Sequence, residues 1–450
     1  MNIHFIAIGG SAMHNLAIAL HQKGETITGS DDTIFEPSKS RLERHGLLPK
    51  EFGWFVENIH KNLDVVILGM HAKPDNPELL RAQELQLPIY SYPEFLFDQS
   101  KNKTRVVIGG SHGKTTITSM VLHVLQYHDK AVDYMVGAQL EGFETMVHLT
   151  KENDFIILEG DEYLSSPIDR RPKFHLYQPN IALVSGIAWD HINVFPTFEN
   201  YVEQFQIFMK SIINGGVLLY NEEDDEVKKL VEALDHPIRK LPYNTPEYHV
   251  ENGQTFLHTS EGEMPVEIFG AHNLNNLAGA KWICQQMGVD EQDFYEAIVS
   301  FKGASKRLEK IAENTTSVAF KDFAHSPSKV QATTSAVKNQ YPDKKLTACL
   351  ELHTYSSLNK EFLSEYSGAL DAADEAVVFY SPKTLEIKRM EKISVAQIKQ
   401  AFGREDLKIF TEPVEFQEFL LNRKLQNNCL LLMSSGNYGG LNFDEVKNLF

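Results

Sequence analysis

The residues with the clearest chemical potential lie between Val106 and Thr116, where the sequence reads VVIGGSHGKTT. An apolar run, a glycine-containing turn and a helix start follow one another, and such a turn lets main-chain N–H groups and a helix dipole bind phosphate. Lys114 would reach the β- and γ-phosphates of a nucleotide, and the Thr115 hydroxyl would bind Mg²⁺. Because Ile108 stands where the common GxxxxGKS/T pattern requires its first glycine, we predict a shorter variant of the loop. The alternative is that the turn is purely structural. The predicted nucleotide-binding residues are Gly110, Ser111, His112, Gly113, Lys114, Thr115 and Thr116.

A carboxylate follows a second apolar run, in the segment FIILEGDEY at Phe155–Tyr163. Glu159 ends this run, and ligands of α/β sheets bind at the carboxyl ends of the strands. Oxygen donors are what Mg²⁺ requires beside a triphosphate, so Glu159 is a predicted metal ligand and catalytic residue. Asp161 and Glu162 could be solvated loop charges.

The pair Asp190-His191 comes a few residues after another apolar run, Ile181–Val184. A single histidine is more often structural, but imidazole together with carboxylates can bind Mg²⁺ or Mn²⁺. We therefore predict a Mg²⁺ site, with Mn²⁺ as a possible replacement, formed by Thr115, Glu159 and His191.

Three further segments carry candidate residues. Asn273 and Asn276 are spaced to share one face of a starting helix and could read an adenine edge, although helix capping is a common use of asparagine. Arg307 could hold a transferring phosphate or form a surface ion pair. The segment KDFAHSPSK supplies Asp322 and His325. Either His191 or His325 could accept a proton in a reaction at this site.

The composition restricts the function classes. The chain has 450 residues, 42% of them hydrophobic, and a formal net charge of −18. Such a charge repels polyanions, so we expect no nucleic-acid partner and no acidic membrane partner. Three dispersed cysteines predict neither a disulfide framework nor a thiolate zinc site, and they fit a reducing compartment. With no leader-like start and no long apolar run, the expected location is the cytoplasm.

Strand and helix patterns alternate along most of the chain, which predicts βαβ units and parallel sheets. The predicted strands include Ile3–Ile8, Val65–Leu68 and Ile181–Val184, and residues 241–269 look antiparallel. The fold class is therefore α/β with three domains: a Rossmann-like domain at 1–102, a central P-loop ATPase domain with a mostly parallel sheet at 103–302, and a Rossmann-like domain at 303–450.

Taken together, these motifs resemble the Mur ligases, the ATP-dependent amide-forming enzymes of peptidoglycan synthesis. GSHGKTT, EGDEY, DH, HNLNN and DFAHSP follow the family's order along essentially the whole chain. IGGSAM, TGSDD and HAKPDNPE are similar to the uridine-nucleotide half-site of members that act on UDP-N-acetylmuramate. The resemblance implies ATP as a substrate, the three domains as sugar-nucleotide, ATP and amine-substrate domains, and a monomer or homodimer. It also implies sugar-nucleotide contacts by Gly9, Gly10, Ser11, Ser30, Asp31 and His71.

Two activities within the family fit the sequence: addition of L-alanine to UDP-N-acetylmuramate, and addition of a recycled L-alanyl-γ-D-glutamyl-meso-diaminopimelate tripeptide. The segments EGDEYLSSPIDRRPKF and MSSGNYGGL look more like the tripeptide ligases. The resemblance predicts that Arg170, Arg171 and Lys173 pair with carboxylates of the peptide, and a solvated basic loop is the alternative. Both activities would proceed through an acyl phosphate, with Lys114, Arg307 and Mg²⁺ stabilising the transferring group.

Other functions are less compatible with the chain. A folylpolyglutamate-synthase-like ligase would lack the N-terminal sugar-nucleotide motifs. A P-loop switch or motor would need an NKxD or LSGGQ motif, and the sequence contains neither. The stretch GGSAMHN fails the GxGxxG pattern of an NAD-binding oxidoreductase, because Ser11 and His14 stand where glycines are required.

Overall fold

The computed structural model describes residues 1–450 except 141, 261, 305, 306 and 424. The chain forms two compact units. The first unit contains Met1–Ile187, Val202–Tyr243 and Trp282–Val289, and the second contains Ala188–Tyr201, Asn244–Lys281 and Asp290–Phe450. The fold is α/β with mostly parallel sheets, as predicted. The domain boundaries after residues 102 and 302 stay a prediction.

The first sheet is four-stranded and parallel, in the order β2-β1-β3-β4. Its elements are β1 (Asn2–Ile6), α1 (Ser11–Gln22), β2 (Thr26–Ser30), α2 (Ser38–Arg44), β3 (Val65–Leu68), α3 (Pro77–Glu84), β4 (Ile89–Ser91) and α4 (Tyr92–Gln99). The predicted strand Ile3–Ile8 ends early, at Ile6, because Ala7 has a φ of 67° and turns the chain towards α1.

The second sheet has seven strands in the order β11-β10-β9-β5-β8-β6-β7 and is parallel except for the β6–β7 pair. Its elements are β5 (Thr104–Gly109), α5 (Lys114–Tyr127), β6 (Asp133–Met135), β7 (Val147–His148), β8 (Phe155–Gly160), β9 (Ile181–Val184), α6 (Phe198–Lys210), β10 (Val217–Asn221), α7 (Asp225–Ala233) and β11 (Arg239–Tyr243). Strand β5 is apolar and fully buried at Val106, Val107 and Ile108, as expected for the interior of a doubly covered sheet. Its neighbours β8 and β9 therefore end beside the turn that follows β5.

A small antiparallel sheet follows, made of β12 (Tyr248–Glu251), β13 (Gln254–Thr259) and β14 (Gly262–Val266). It confirms the predicted antiparallel segment, although Leu241–Tyr243 belongs to the parallel strand β11 instead. Helices α8 (Ala271–Gln286) and α9 (Glu291–Ile298) come next.

The C-terminal sheet has six strands in the order β15-β16-β20-β17-β18-β19, with only the β15–β16 pair antiparallel in the part of the chain that is described. Its elements are β15 (Glu309–Glu313), β16 (Val318–Asp322), α10 (Pro327–Gln340), β17 (Lys345–Leu352), β18 (Glu375–Tyr380), α11 (Pro382–Ile387), α12 (Val395–Phe402), β19 (Lys408–Phe410), α13 (Pro413–Leu421), β20 (Asn428–Met433) and α14 (Phe443–Lys447). Buried clusters cover both of its faces, one with Phe320 and Leu350 and the other with Phe379 and Leu430.

Two expectations from composition can be compared with the structure. The cysteines Cys284, Cys349 and Cys429 are free and buried, which confirms that they form no disulfide framework. Among the residues with described positions, no helix combines the length and the hydropathy of a membrane span.

Candidate active site

The glycine turn after β5 is held tightly against the end of β9. Gly110 and Gly113 have φ values of 137° and 81°, which suit glycine. A Cβ atom on Gly110 would lie 2.0 Å from Ser185 Oγ, so no side chain fits there. The Ser111 N–H group donates to the Gly186 carbonyl at 2.9 Å. Gly113, the N-cap of α5, has no side chain to cap the helix, so the main-chain N–H groups and the dipole at this end of α5 are suited to binding an anion.

The remaining loop residues are also fixed in place. The Ser185 hydroxyl donates to the His112 carbonyl, and a Cβ atom on Gly186 would contact the His112 ring at 2.5 Å. Thr116 is buried in the first turn of α5. The predicted nucleotide-binding residues thus form one contiguous loop and helix start.

The Lys114 ammonium is held at this loop by two oxygens. It donates to the Gly110 carbonyl at 2.5 Å and to the Glu162 carboxylate at 2.6 Å. Burial alone would lower the pKa of Lys114, but the carboxylates of Glu162, Asp161 and Glu159 raise it above its ordinary value, so the ammonium stays charged. The interpretation of Glu162 as a solvated loop charge is wrong, because its side chain is only 1% exposed and pairs with Lys114.

Two of the predicted metal ligands lie next to each other. The Thr115 hydroxyl donates to Glu159 Oε1 at 2.7 Å, and the Gly137 N–H group donates to Glu159 Oε2 at 2.8 Å. Sequence reasoning missed Gly137, where a Cβ atom would lie 2.9 Å from the Glu159 carboxylate. A hydroxyl and a buried carboxylate beside a phosphate-type loop are the hard oxygen donors that fit Mg²⁺. These residues would hold the ion next to the phosphates.

The basic residues that follow Glu162 differ in whether they are paired with carboxylates of the protein. Arg171 pairs with Asp169 at 2.7 Å and with Glu94 at 3.4 Å, so carboxylates of the protein already occupy it. Lys173 pairs with Asp161, which shows that Asp161 also is not simply a solvated charge. Arg170 is exposed. Arg171 is exposed as well, so the two arginines predicted to bind a peptide differ in pairing: within the described residues, only Arg171 has an ion pair.

Four of the six predicted sugar-nucleotide residues, Gly9, Gly10, Ser11 and Asp31, lie at or beside the β1–α1 turn. The Gly9 N–H group donates to Asp31 Oδ2 at 2.8 Å, and a Cβ atom on Gly9 would lie 2.9 Å from the same oxygen. Gly10 precedes α1, and the exposed Ser11 begins it. Burial raises the pKa of Asp31. The turn leaves main-chain groups and one carboxylate at the carboxyl end of β1, where such folds bind nucleotides.

Ser30 and His71 occupy different surroundings from the turn residues. The Ser30 hydroxyl is buried, donates to Glu78 Oε1 at 2.7 Å, accepts from Asn58 at 3.0 Å and lies 3.3 Å from His4 Nε2. It is therefore directed into the protein interior. His71 is exposed in the segment between β3 and α3.

In the second unit, Asp190 and His191 form a compact charged group with Lys329. The Lys329 ammonium lies 3.4 Å from Asp190 Oδ2. Burial would raise the pKa of Asp190, but the nearby charge of Lys329 above all holds it well below its usual range. His191 has a φ of 55°, an uncommon conformation for a residue with a side chain and one often found at functional sites. Sequence reasoning missed Lys329, although it stands in the KDFAHSPSK segment. The role of His191 as a metal ligand stays a prediction.

Arg307, Asp322 and His325 also lie in the second unit. The Arg307 guanidinium carbon is 5.0 Å from the centre of the Phe323 ring. Asp322 accepts the Ala324 N–H group at 2.6 Å, and burial raises its pKa although Arg307 opposes the shift. Burial also lowers the pKa of His325 to about 4, so its ring is uncharged at neutral pH.

Asn273 and Asn276 lie inside α8, not at its N-cap, and both are buried. The Asn273 side chain donates to the Phe269 carbonyl at 3.1 Å. Helix capping therefore does not account for either residue, and adenine recognition stays a prediction.

The carboxyl ends of β17 and β20 carry a polar cluster that sequence reasoning did not assign. Glu351 accepts the Ser434 hydroxyl, and its Oε2 accepts the Tyr438 N–H group at 2.8 Å. The Ser435 hydroxyl is buried and has no hydrogen-bond partner among the residues with described positions. Such a group is available to a ligand. The signal in the sequence was SSGNYGG directly after an apolar strand.

Comparison with known proteins gives consistent matches. Residues 2–104 match the family model "Mur ligase family, catalytic domain", and residues 108–284 match "Mur ligase middle domain". A UDP-N-acetylmuramate–L-alanine ligase of Sulfurihydrogenibium sp. is 30% identical over 96% of this chain and 93% of its own length. The structure of the Thermotoga maritima UDP-N-acetylmuramate–alanine ligase superposes with a TM-score of 0.70 at 20% identity, covering 100% of this chain and 98% of that one. The murein peptide ligase of Psychrobacter arcticus gives 0.67 at 20% identity, with coverages of 100% and 99%.

Proposed function

Because this chain belongs to the Mur ligase family of ATP-dependent peptidoglycan enzymes, we propose that it joins an amine to the carboxylate of UDP-N-acetylmuramate. The observation that carries the proposal is the 2.7 Å contact between Thr115 and Glu159, directly beside Lys114. It combines a loop suited to phosphate with an oxygen site suited to a divalent cation. The relatives matched over nearly the whole chain act on UDP-N-acetylmuramate.

The chain's residues fit a reaction in two steps. The carboxylate oxygen attacks the γ-phosphorus of ATP, ADP leaves, and an acyl phosphate forms. The amine nitrogen then attacks the acyl carbon, loses a proton, and inorganic phosphate leaves as the amide forms. Lys114 stabilises the negative charge on the transferring oxygens, with Arg307 as the predicted second cation. Bound Mg²⁺ supplies further positive charge there, and Thr115 and Glu159 would hold it.

We infer that the amine substrate is the L-alanyl-γ-D-glutamyl-meso-diaminopimelate tripeptide. Two segments support this choice because they resemble the corresponding segments of the tripeptide ligases: Glu159–Phe174 and Met433–Leu441. The first contains the exposed Arg170, whose charge complements the carboxylates of such a peptide. The second contains Ser435, whose buried hydroxyl has no partner among described residues. We infer that the amine substrate binds along this carboxyl edge of β17 and β20.

L-Alanine is the second candidate amine. The observation that favours it is the 30% identity with a UDP-N-acetylmuramate–L-alanine ligase over nearly the whole of both chains. Structures of both kinds of ligase match at 20% identity, which supports the fold for either activity and does not discriminate between them.

The test is phosphate release from ATP with Mg²⁺ and UDP-N-acetylmuramate, with either the tripeptide or L-alanine added. Release that requires the tripeptide supports a recycling ligase, whereas release that requires L-alanine assigns the chain to the first peptide-adding step. If neither amine supports phosphate release, the proposal that the chain ligates one of them to UDP-N-acetylmuramate is refuted.

A further inference from the structure

Two histidines and a glutamate face one another on the small antiparallel sheet of the second unit. His249 lies on β12, His258 on β13 and Glu263 on β14. The atoms His249 Nδ1 and His258 Nε2 are 2.9 Å apart. Glu263 Oε1 lies 3.9 Å from the first nitrogen and 3.8 Å from the second. Three adjacent strands therefore each supply one potential metal ligand to the same face of the sheet.

The triangle formed by these atoms has the dimensions of a transition-metal site. The point equidistant from the three atoms lies about 2.1 Å from each of them, and Zn²⁺ binds histidine nitrogen and carboxylate oxygen at about 2.0–2.2 Å. This point lies in the plane of the three atoms, and a tetrahedral ion would sit out of that plane, which requires the two nitrogens to move roughly 0.4 Å further apart. The three side chains are partly exposed, which leaves a position for water.

A second carboxylate, that of Glu247, lies near one of the histidines. The His258 main-chain N–H group donates to the Glu247 carbonyl at 2.9 Å, which fixes the two residues side by side. Glu247 Oε2 lies 3.9 Å from His258 Nδ1, the ring nitrogen that does not face the cluster. When Nε2 of a histidine binds a metal, Nδ1 carries the proton, and a nearby carboxylate stabilises that tautomer. At this distance Glu247 makes no hydrogen bond to the ring, but its exposed side chain lies on the side from which it could approach the Nδ1 proton.

The surroundings also restrict the rings and admit an ion from solvent. The His249 ring stacks on Phe256, with centroids 5.2 Å apart and planes 10° apart. The side chains of His249 and His258 are 37% and 42% exposed, so an ion reaches them directly. Two imidazoles with one carboxylate favour Zn²⁺ over Mg²⁺, which prefers oxygen ligands.

From this geometry we propose that His249, His258 and Glu263 bind a Zn²⁺ ion on the β12–β14 sheet. This site is separate in the chain from Thr115 and Glu159, and it does not depend on the ligase reaction. The bound ion links three strands through side chains, so it stabilises the register of the small sheet.

The direct test is calorimetric titration of the full-length chain with Zn²⁺ in excess Mg²⁺, which occupies oxygen-rich sites. The wild type and a control variant at another exposed histidine, His60→Ala, are expected to bind one more Zn²⁺ per chain than His249→Ala or His258→Ala. Equal stoichiometry in all four proteins would overturn the proposal.

A spectroscopic measurement provides a second test that does not rely on stoichiometry. Co²⁺ in a site of low coordination number with histidine ligands absorbs strongly in the visible region. We expect such a band in the wild type and in His60→Ala, its loss in His258→Ala, and its displacement by Zn²⁺. A band of the same intensity in His258→Ala would mean that the ion binds elsewhere and the proposal is wrong.

Discussion

The ammonium of Lys114 lies 2.6 Å from the carboxylate of Glu162, and the glutamate is the more deeply buried partner. The cation that the sequence predicts for phosphate binding therefore already has an internal counter-ion. Phosphate oxygens must share this ammonium with Glu162 or replace it. A substitution of Lys114 should therefore change both the stability of the fold around the loop and the transfer of the phosphoryl group.

We expect Lys114→Met to lower turnover at least about 100-fold, because it removes a cation that stabilises the transferring phosphoryl group. It should also lower the free energy of unfolding by about 3 kcal/mol, because the buried carboxylate of Glu162 loses the ammonium of Lys114. Phosphate-release kinetics and chemical denaturation measure the two effects. Turnover near the wild-type value would contradict the assignment of the loop.

The double variant Lys114→Met with Glu162→Gln separates these two effects. The neutral amide needs no counter-ion, so most of the lost free energy of unfolding should return. Turnover should stay low, since no cation is restored. Recovery of activity in the double variant would show that the loss in Lys114→Met came from misfolding.

Thr115→Val and Glu159→Gln should each raise the Mg²⁺ concentration needed for half-maximal turnover by about tenfold or more, which corresponds to about 1.4 kcal/mol. The reason is the loss of one oxygen donor from the contact between these residues. Thr115→Ser keeps the hydroxyl and is the matched control. An unchanged Mg²⁺ requirement in both variants would place the cation elsewhere.

The free energy of unfolding should fall as the pH decreases from 7 to 5, in part because of His272. Burial lowers the pKa of His272 to about 4, below its ordinary value of 6.5. Between these values the unfolded chain binds a proton that the folded chain does not, so acid favours unfolding. The expected contribution is about 1–2 kcal/mol over this range. His325, whose pKa burial also lowers to about 4, adds a similar effect.

The variant His272→Gln tests this contribution by denaturation at several pH values. It should lose less free energy of unfolding between pH 7 and 5 than the wild type does. His21→Gln, at an exposed position, is the control and should follow the wild type. The same pH dependence in all three proteins would contradict the assignment to His272.

Arg170→Ala should raise the KM for the tripeptide about tenfold, because a charge-assisted hydrogen bond contributes about 1.5–3 kcal/mol. The KM values for ATP and UDP-N-acetylmuramate should not change. The reason is that Arg170 is exposed, whereas Arg171 is paired with Asp169 and Glu94. An unchanged tripeptide KM would favour the interpretation of this segment as a solvated basic loop.

Local patterns were sufficient to predict the elements that carry the site. The strands Val65–Leu68 and Ile181–Val184 agree with the prediction residue for residue, because an apolar run bounded by polar residues defines both ends. The end of β1 was missed, since the positive φ of Ala7 depends on contacts and is not indicated by alanine itself. The sequence also predicted that Thr115 and Glu159 share a metal site, and they lie in contact because β5 and β8 are neighbouring parallel strands.

Long-range pairing explains what the sequence did not reveal. Glu162 and Lys114 are 48 residues apart, and only the folded sheet shows that the carboxylate is buried against the ammonium. Ser30 and Glu78 are likewise 48 residues apart, so the inward direction of the Ser30 hydroxyl was not predictable from TGSDD. The cluster of His249, His258 and Glu263 required the register of three strands.

The central position of β5 also determines how slowly its amide hydrogens exchange with solvent. This strand is bonded to β8 on one side and to β9 on the other, and its apolar residues are inaccessible to solvent. Its amides should therefore take up deuterium only when the surrounding sheet opens as a whole. The turn that starts at Gly110 follows directly after this strand. Nucleotide binding should accordingly slow deuterium uptake in the turn and the first residues of α5 while leaving β5 itself nearly unchanged.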